Sequence, residues 1–162
     1  MSAAALPPFQ SFLDANREAV WRFLVASVGR VDAEDCFQET FIAALRAYPK
    51  LKPSREHNLH AWVLTIAHRK AIDAHRARAR AALPVAEPQA VDGRSAAPAA
   101  LRDQQLWDAV QELPERQRSA IVLRYLGDLP HREIAAAIGC SEEAARRSLH
   151  EGLAKLREAV PA

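Results

Sequence analysis

The stretch LHAWVLTIAHRKAIDAHRARAR, residues 59–80, holds the residues best suited to chemistry with a polyanion. At helical spacing Trp62, Arg69, Asp73, Arg76 and Arg80 fall on one side. An aromatic ring beside guanidinium groups is a recurring way to hold single-stranded nucleic acid: the ring stacks on bases and the cations follow the phosphates. Trp62 alone fits a hydrophobic core as well. The basic cluster Arg69, Lys70, Arg76, Arg78 and Arg80 reads as a nucleic-acid surface. A second stretch, DAEDCFQETF (32–41), places Phe37, Phe41, Ala44, Leu45 and Tyr48 on an inward side and Asp35, Gln38 and Glu39 on a polar one. That polar side is either a solvated helix face or an acidic docking surface for a basic partner.

The third stretch is LPHREIAAAIGCSEEAARRSLHEGLAKLR, residues 129–157. A helix (Glu133 to Ile138) runs into Gly139, able to adopt φ > 0 at a helix end. Ser141 then offers a side-chain oxygen to cap the next helix. This is the grammar of a helix-turn-helix, whose second helix enters a DNA major groove. In that helix Ala145, Leu149, Gly152, Leu153 and Leu156 form the inward stripe. Glu143, Ala144, Arg147 and Glu151 face outward, with Arg146 and His150 beside them.

Catalytic chemistry finds no support. The histidine pairs His57/His60 and His68/His75 match no HExxH or other ligand pattern, and no Ser-His pairing stands out. Cys36 and Cys140 lie far apart without CxxC spacing, as expected of two reduced residues in a cytosolic protein. No enzyme activity, metal or cofactor is expected. No charged segment leads into an apolar run at the N-terminus and no stretch approaches membrane-spanning length, so a cytoplasmic protein without membrane insertion is expected.

The elements that must position these residues are helices. Hydrophobic residues make up 49% of the 162, aromatics only 6%, and alanine is abundant, which favours an all-α fold. Prolines, a glycine and alanines mark residues 81–105 as a Pro/Ala-rich linker between two small helical domains, 1–80 and 106–162. In the first domain the periodicity predicts helices over Phe9 to Val28, Asp32 to Tyr48 and Leu59 to Arg80. In the second it predicts Leu106 to Glu112, Glu115 to Leu126 and the two helices of the helix-turn-helix. Residues 1–80 carry 12 Lys/Arg against 8 Asp/Glu, whereas residues 106–162 carry 8 against 9. The first domain therefore supplies most of the attraction for a polyanion.

DAEDCFQETF (32–41), NLHAWVLTIAHRKAIDAHRARAR (58–80) and the run from Leu113 to Arg157 occur in an order that resembles the small two-domain extracytoplasmic-function group of bacterial RNA polymerase sigma factors, in the sigma-70 family. The resemblance covers roughly residues 9–158. It implies promoter recognition and −10 strand opening during transcription initiation. It also implies that Asp35, Gln38 and Glu39 dock on the largest subunits of core RNA polymerase. For the promoter −10 element it implicates His57 and Asn58 in the loop, with Trp62, Arg69, Lys70 and Arg76 on the helix. For the −35 element it implicates Arg132, Ala144, Arg146, Arg147 and His150. Promoter DNA and core polymerase are thus the expected partners, and members of the group usually have an anti-sigma factor. The family's recognition helix is usually basic. Here Glu142 and Glu143 occupy its first turn and Glu151 stands where a basic residue is common, which implies weak duplex affinity for the isolated second domain. That departure motivates two alternative readings, a sigma-like helix-turn-helix regulator that does not direct initiation and a protein-interaction module.

Overall fold

A computed structural model describes residues 5–52, 58–81 and 98–161. Helix α1 spans Phe9–Val28 and ends at Gly29, and α2 follows as Arg30–Ala47. A short 3-10 turn at Tyr48–Lys50 carries Pro49, which brings the second helix to a close. Helix α3 is Leu59–Ala81. The second unit comprises α4 (Pro98–Glu112), α5 (Glu115–Tyr125), α6 (His131–Ile138) and α7 (Glu142–Ala159). Every regular element among the described residues is a helix, in keeping with the all-α expectation. Helix α2 starts two residues before Asp32. Helix α4 starts at Pro98, inside the stretch read as linker, because proline fits a first helical position that loses no hydrogen bond there.

Helices α1, α2 and α3 pack on one another around Phe12, Val20, Phe23, Leu24, Phe41, Val63 and Leu64. Each such side chain contributes about 1.5–3 kcal/mol when removed from water. Thr40, fully buried on α2, gives its hydroxyl to the Cys36 carbonyl one turn back and so leaves no orphan donor. In the second unit α5, α6 and α7 enclose Ile121, Val122, Leu123, Leu129, Ile134, Ala145 and Leu149. The inward stripe of α7 is as expected, with Leu153 half-buried at its margin.

The turn of the helix-turn-helix follows its residue types. Gly139 adopts φ 77°, ψ 42°, and its N–H and that of Cys140 both reach the Ala135 carbonyl. A side chain at Gly139 would be strained in this left-handed conformation. Ser141 Oγ accepts the Ala144 N–H at 3.1 Å.

The two units also touch. Helix α1 contacts α4 and α5, and α3 contacts α5 and α6. The apolar interior runs from one unit into the other. No helix among the described residues is long and apolar enough to cross a membrane.

Ser141→Ala removes the α7 cap and should lower stability by about 1 kcal/mol, while Ser141→Gly should cost only a few tenths. Urea unfolding followed by circular dichroism measures both, and equal effects would mean that the hydroxyl cap is not the source.

Candidate polymerase and nucleic-acid interfaces

On α2 the side chains of Asp35, Gln38 and Glu39 are all exposed and share one face. Two apolar residues extend it: Ile42 is 49% exposed and Leu45 53%. Leu45 was expected to point inward. The inward arc is narrower, because Phe41, Ala44 and Tyr48 already fill the contact with α1 and α3 and Leu45 rolls past its edge. Sequence reasoning thus missed both apolar members of this face. An apolar residue at Ile42, one turn from Gln38, was the available signal.

Beside this face lies an open cleft between α2 and α3 of about 560 Å³, lined among others by Asp32, Asp35, Glu39, Lys70, Asp73 and Arg78. Arg78 spans it to Asp32 at 2.8 Å. Cys36 Sγ lies 3.8 Å from the Lys70 carbonyl. Burial, helped by the charges of Glu39, Asp32 and Asp35, pushes the Cys36 thiol up to about 11, so it is held as an unreactive thiol.

The α3 residues assigned to the −10 element do not form a single surface. Arg69 and Arg76 are exposed on one side, as the spacing implied. Trp62 is half-buried in an aromatic group, its ring centroid 5.7 Å from Phe12 and 6.3 Å from Tyr48. Lys70 lies in the α2–α3 cleft among carboxylates rather than beside Arg69. Asn58 caps α3: its Oδ1 accepts the Ala61 N–H at 3.1 Å and its carbonyl accepts the Trp62 N–H. His57 lies outside the described residues. Arg76 reaches across to Glu115 of α5 at 3.5 Å.

In the second unit Arg132, Arg146, Arg147 and His150 are exposed and Ala144 is half-exposed. The acidic first turn of α7 is spoken for. Glu142 bonds Arg146 at 2.9 Å, and Glu143 lies 3.9 Å from Arg147, both at i, i+4 spacing. Such exposed pairs contribute only about 0.3–0.5 kcal/mol, so a phosphate can displace them. Arg132 lies 3.9 Å from Glu133. Glu151 accepts from Gln117 of α5 at 3.2 Å, which ties it to the packing of the unit.

A third group includes histidines that the sequence reading discounted because they carry no ligand spacing. His60, Leu64, His68 and His75 line one stripe of α3, and His60 and Leu64 meet the second unit at Gly127. His60 Nε2 lies 2.8 Å from the Gly127 carbonyl and its Nδ1 3.1 Å from Asn16 Oδ1. Leu64 fills the space beside Gly127, where a Cβ would come within 3.0 Å of it. His75 Nε2 donates to the Ser27 carbonyl at the end of α1. Burial, with Arg69 and Arg118 nearby, holds His68 down at about 4, against a partial counter-effect from Glu115. Burial and the Arg118 guanidinium likewise lower His75.

Comparison with known proteins identifies the family. The sigma-70 region 2 family model matches residues 12–81, and the sigma-70 region 4 model matches residues 103–156. The ECF RNA polymerase sigma factor SigD of Mycobacterium tuberculosis (strain ATCC 25618 / H37Rv) is 31% identical over 161 residues, covering 93% of this chain and 76% of SigD. The RNA polymerase sigma factor CarQ of Myxococcus xanthus is 35% identical over 136 residues, 78% of this chain and 73% of CarQ. In fold, the chain resembles the sigma factor RpoE solved with the anti-sigma factor NepR from Bartonella quintana, at TM-score 0.72 and 22% identity over 93% of this chain and 95% of that one. It also resembles CnrH, solved with the cytosolic domain of CnrY, at TM-score 0.70 and 22% identity over 93% and 85%. The two family-model matches, in this order along the chain, define a sigma-70-type protein. The chain belongs to the ECF RNA polymerase sigma factors, and it acts in promoter recognition and transcription initiation.

Trp62→Ala should cost about 3–5 kcal/mol of stability, as expected for an aromatic removed from packing, and Trp62→Phe much less. Arg69→Ala should stay within about 0.5 kcal/mol. Thermal unfolding of the three variants decides: a Trp62→Ala protein as stable as its parent would return Trp62 to a purely nucleic-acid role.

Proposed function

We propose that the exposed α2 face is the polymerase-docking surface, with Asp35, Gln38 and Glu39 meeting basic groups of the largest subunits and Ile42 and Leu45 supplying the apolar centre. The observation that carries this reading is the exposure of two large aliphatic side chains beside those polar ones. Large aliphatics gathered on a surface and rimmed by polar groups are the composition of a protein contact.

Helix α3 and the loop before it then engage the −10 element. Arg69 and Arg76 hold backbone, His57 and Asn58 read an unstacked base, and Lys70 and Trp62 support the helix from its sides. Preferential binding of the splayed strand offsets an unstacking cost of a few kcal/mol per base. Helix α7 reads the −35 element as duplex through Arg146, Arg147 and His150. Arg132 of α6 contacts backbone, and Ala144 leaves room for a thymine methyl. The chain performs no covalent chemistry, works in the cytoplasm and is held by an anti-sigma factor when idle. The last point is supported by the solved complexes of RpoE with NepR and of CnrH with CnrY.

Joint substitution of Asp35 and Gln38 by alanine should weaken binding to core polymerase by about 1–3 kcal/mol with unchanged helix content. Anisotropy of the labelled protein titrated with core enzyme measures it, and an unaltered affinity would refute the docking face. Glu142→Gln with Glu143→Gln should strengthen −35 duplex binding. It should also steepen the dependence of log K on log salt by about 0.9 for each arginine released to a phosphate. An unchanged slope would mean that Arg146 and Arg147 do not reach phosphate.

A further inference from the structure

The open cleft between α2 and α3 is walled by charges that are mostly not paired with one another. Asp32, Asp35 and Glu39 line it from α2, and Asp73 joins them from α3. Its cations are Lys70, Arg78 and Arg80 of α3. Among the described residues one ion pair closes across it, Arg78 to Asp32 at 2.8 Å, between side chains 63% and 33% exposed. A pair so open to water contributes little, and its members can change partners. Ala74, Ala77 and Ala81 are the α3 residues between and beside the cations, and their small side chains keep the cleft open at about 560 Å³. Cys36 at its floor feels Glu39, Asp32 and Asp35 together with Lys70, so these charges share one field.

Two surfaces meet at this cleft. Asp35 and Glu39 belong to the exposed face of α2 as well. Arg80 shares a side of α3 with Arg69 and Arg76 at helical spacing, so a strand that follows those arginines reaches the rim of the cleft. The sign of the cleft depends on whether the α2 face is covered. With four carboxylates against three cations it is net negative and repels phosphate. When basic groups of a partner neutralise Asp35 and Glu39, two carboxylates oppose three cations and the sign reverses. A cleft of this volume is roughly 8 Å across, about one Debye length at physiological salt, so screening does not erase the change.

We propose that the α2–α3 cleft is a seat for a backbone phosphate of single-stranded DNA, held by Lys70 and Arg78 and made ready when a basic partner neutralises Asp35 and Glu39. The choice of core polymerase as that partner rests on the docking reading of α2. In the free chain Asp32 keeps Arg78, and the surrounding carboxylates offset Lys70. With the α2 face covered, both cations turn to the phosphate. Docking and grip on the strand then strengthen each other, and by linkage each does so by the same factor.

The test uses the full chain and a fluorescein-labelled single strand of mixed sequence, because a phosphate contact carries no base preference. Anisotropy is read over a series of salt concentrations. Asp35→Asn with Glu39→Gln copies the neutralised cleft without a partner. Its log K should fall with log salt more steeply than the parent's by about 0.7 for the phosphate gained, and its affinity at about 0.1 M salt should rise about fivefold. Lys70→Gln with Arg78→Gln should abolish that gain in the neutralised chain and cost the parent less than half as much, a coupling that a general change of net charge does not produce. Circular dichroism checks that the four chains have equal helix content. The seat is overturned if the neutralised chain keeps its parent's slope, or if loss of Lys70 and Arg78 costs the same slope in both backgrounds. Core polymerase is titrated onto the same chains. A neutralised chain that gains the phosphate yet binds core as its parent does would refute the docking face and leave the seat standing.

Discussion

Helix α3 has to satisfy two sets of neighbours at once, and most of the molecule follows from how it does so. Its inward positions Ala61, Ala67 and Ala71 are small and buried, which lets α1 and α2 approach closely. Turned from these, Leu64 and His60 meet the second unit. Before the exposed last turns, Arg76 to Ala81, the arc left to solvent is the one holding Arg69 and Asp73. A larger residue on the first face would push the other helices off. A charge on the second would leave an uncompensated ion at the seam. The basic strip at Arg69 and Arg76 is what remains after both demands are met.

The C-terminal end of α1 sits at the same junction. The last carbonyls of a helix lack partners within it. Here the Ala26 carbonyl accepts the Gln111 amide and the Ser27 carbonyl accepts from His75. Separation of the units exchanges the Gln111 bond for one to water, and such exchanges change stability by only about 0.5–1.5 kcal/mol each. The cohesion of the seam therefore lies chiefly in the burial of Leu64 and its neighbours. Contacts between units of one chain generally resemble transient interfaces. A surface of that kind can give way to a tighter one on polymerase without either unit unfolding.

Much of this was legible in sequence wherever the signal is local. Helix α1 lies where its periodicity placed it, and Gly139 and Ser141 behave as their residue types demand. The register of α7 follows from its apolar stripe. What escaped is what depends on distant partners. Nothing near Trp62 announces Phe12 and Tyr48, so its ring could not be divided between core and surface. Lys70 and Arg69 are adjacent in sequence, yet one falls into the cleft with α2 and the other into solvent. Leu45 needed the width of the inward arc, which only three packed helices define. The histidine stripe was visible as spacing, but without the second unit opposite it read as unremarkable.

The distribution of charge follows the same division of labour. The arginines of α7 are held in part by Glu142 and Glu143, acids that the helix dipole favours in a first turn. That arrangement stabilises the helix and lowers its standing attraction for any duplex. The first unit carries the basic excess, but Arg76 and Arg78 are likewise engaged, with Glu115 and Asp32. In both units, then, several arginines are already paired with carboxylates. Two weak surfaces on one chain become effective when one is already placed, because the second then acts at an effective concentration of about millimolar order. Binding to core polymerase supplies that placement for one unit, so the chain can act at a promoter without either unit having a high affinity of its own.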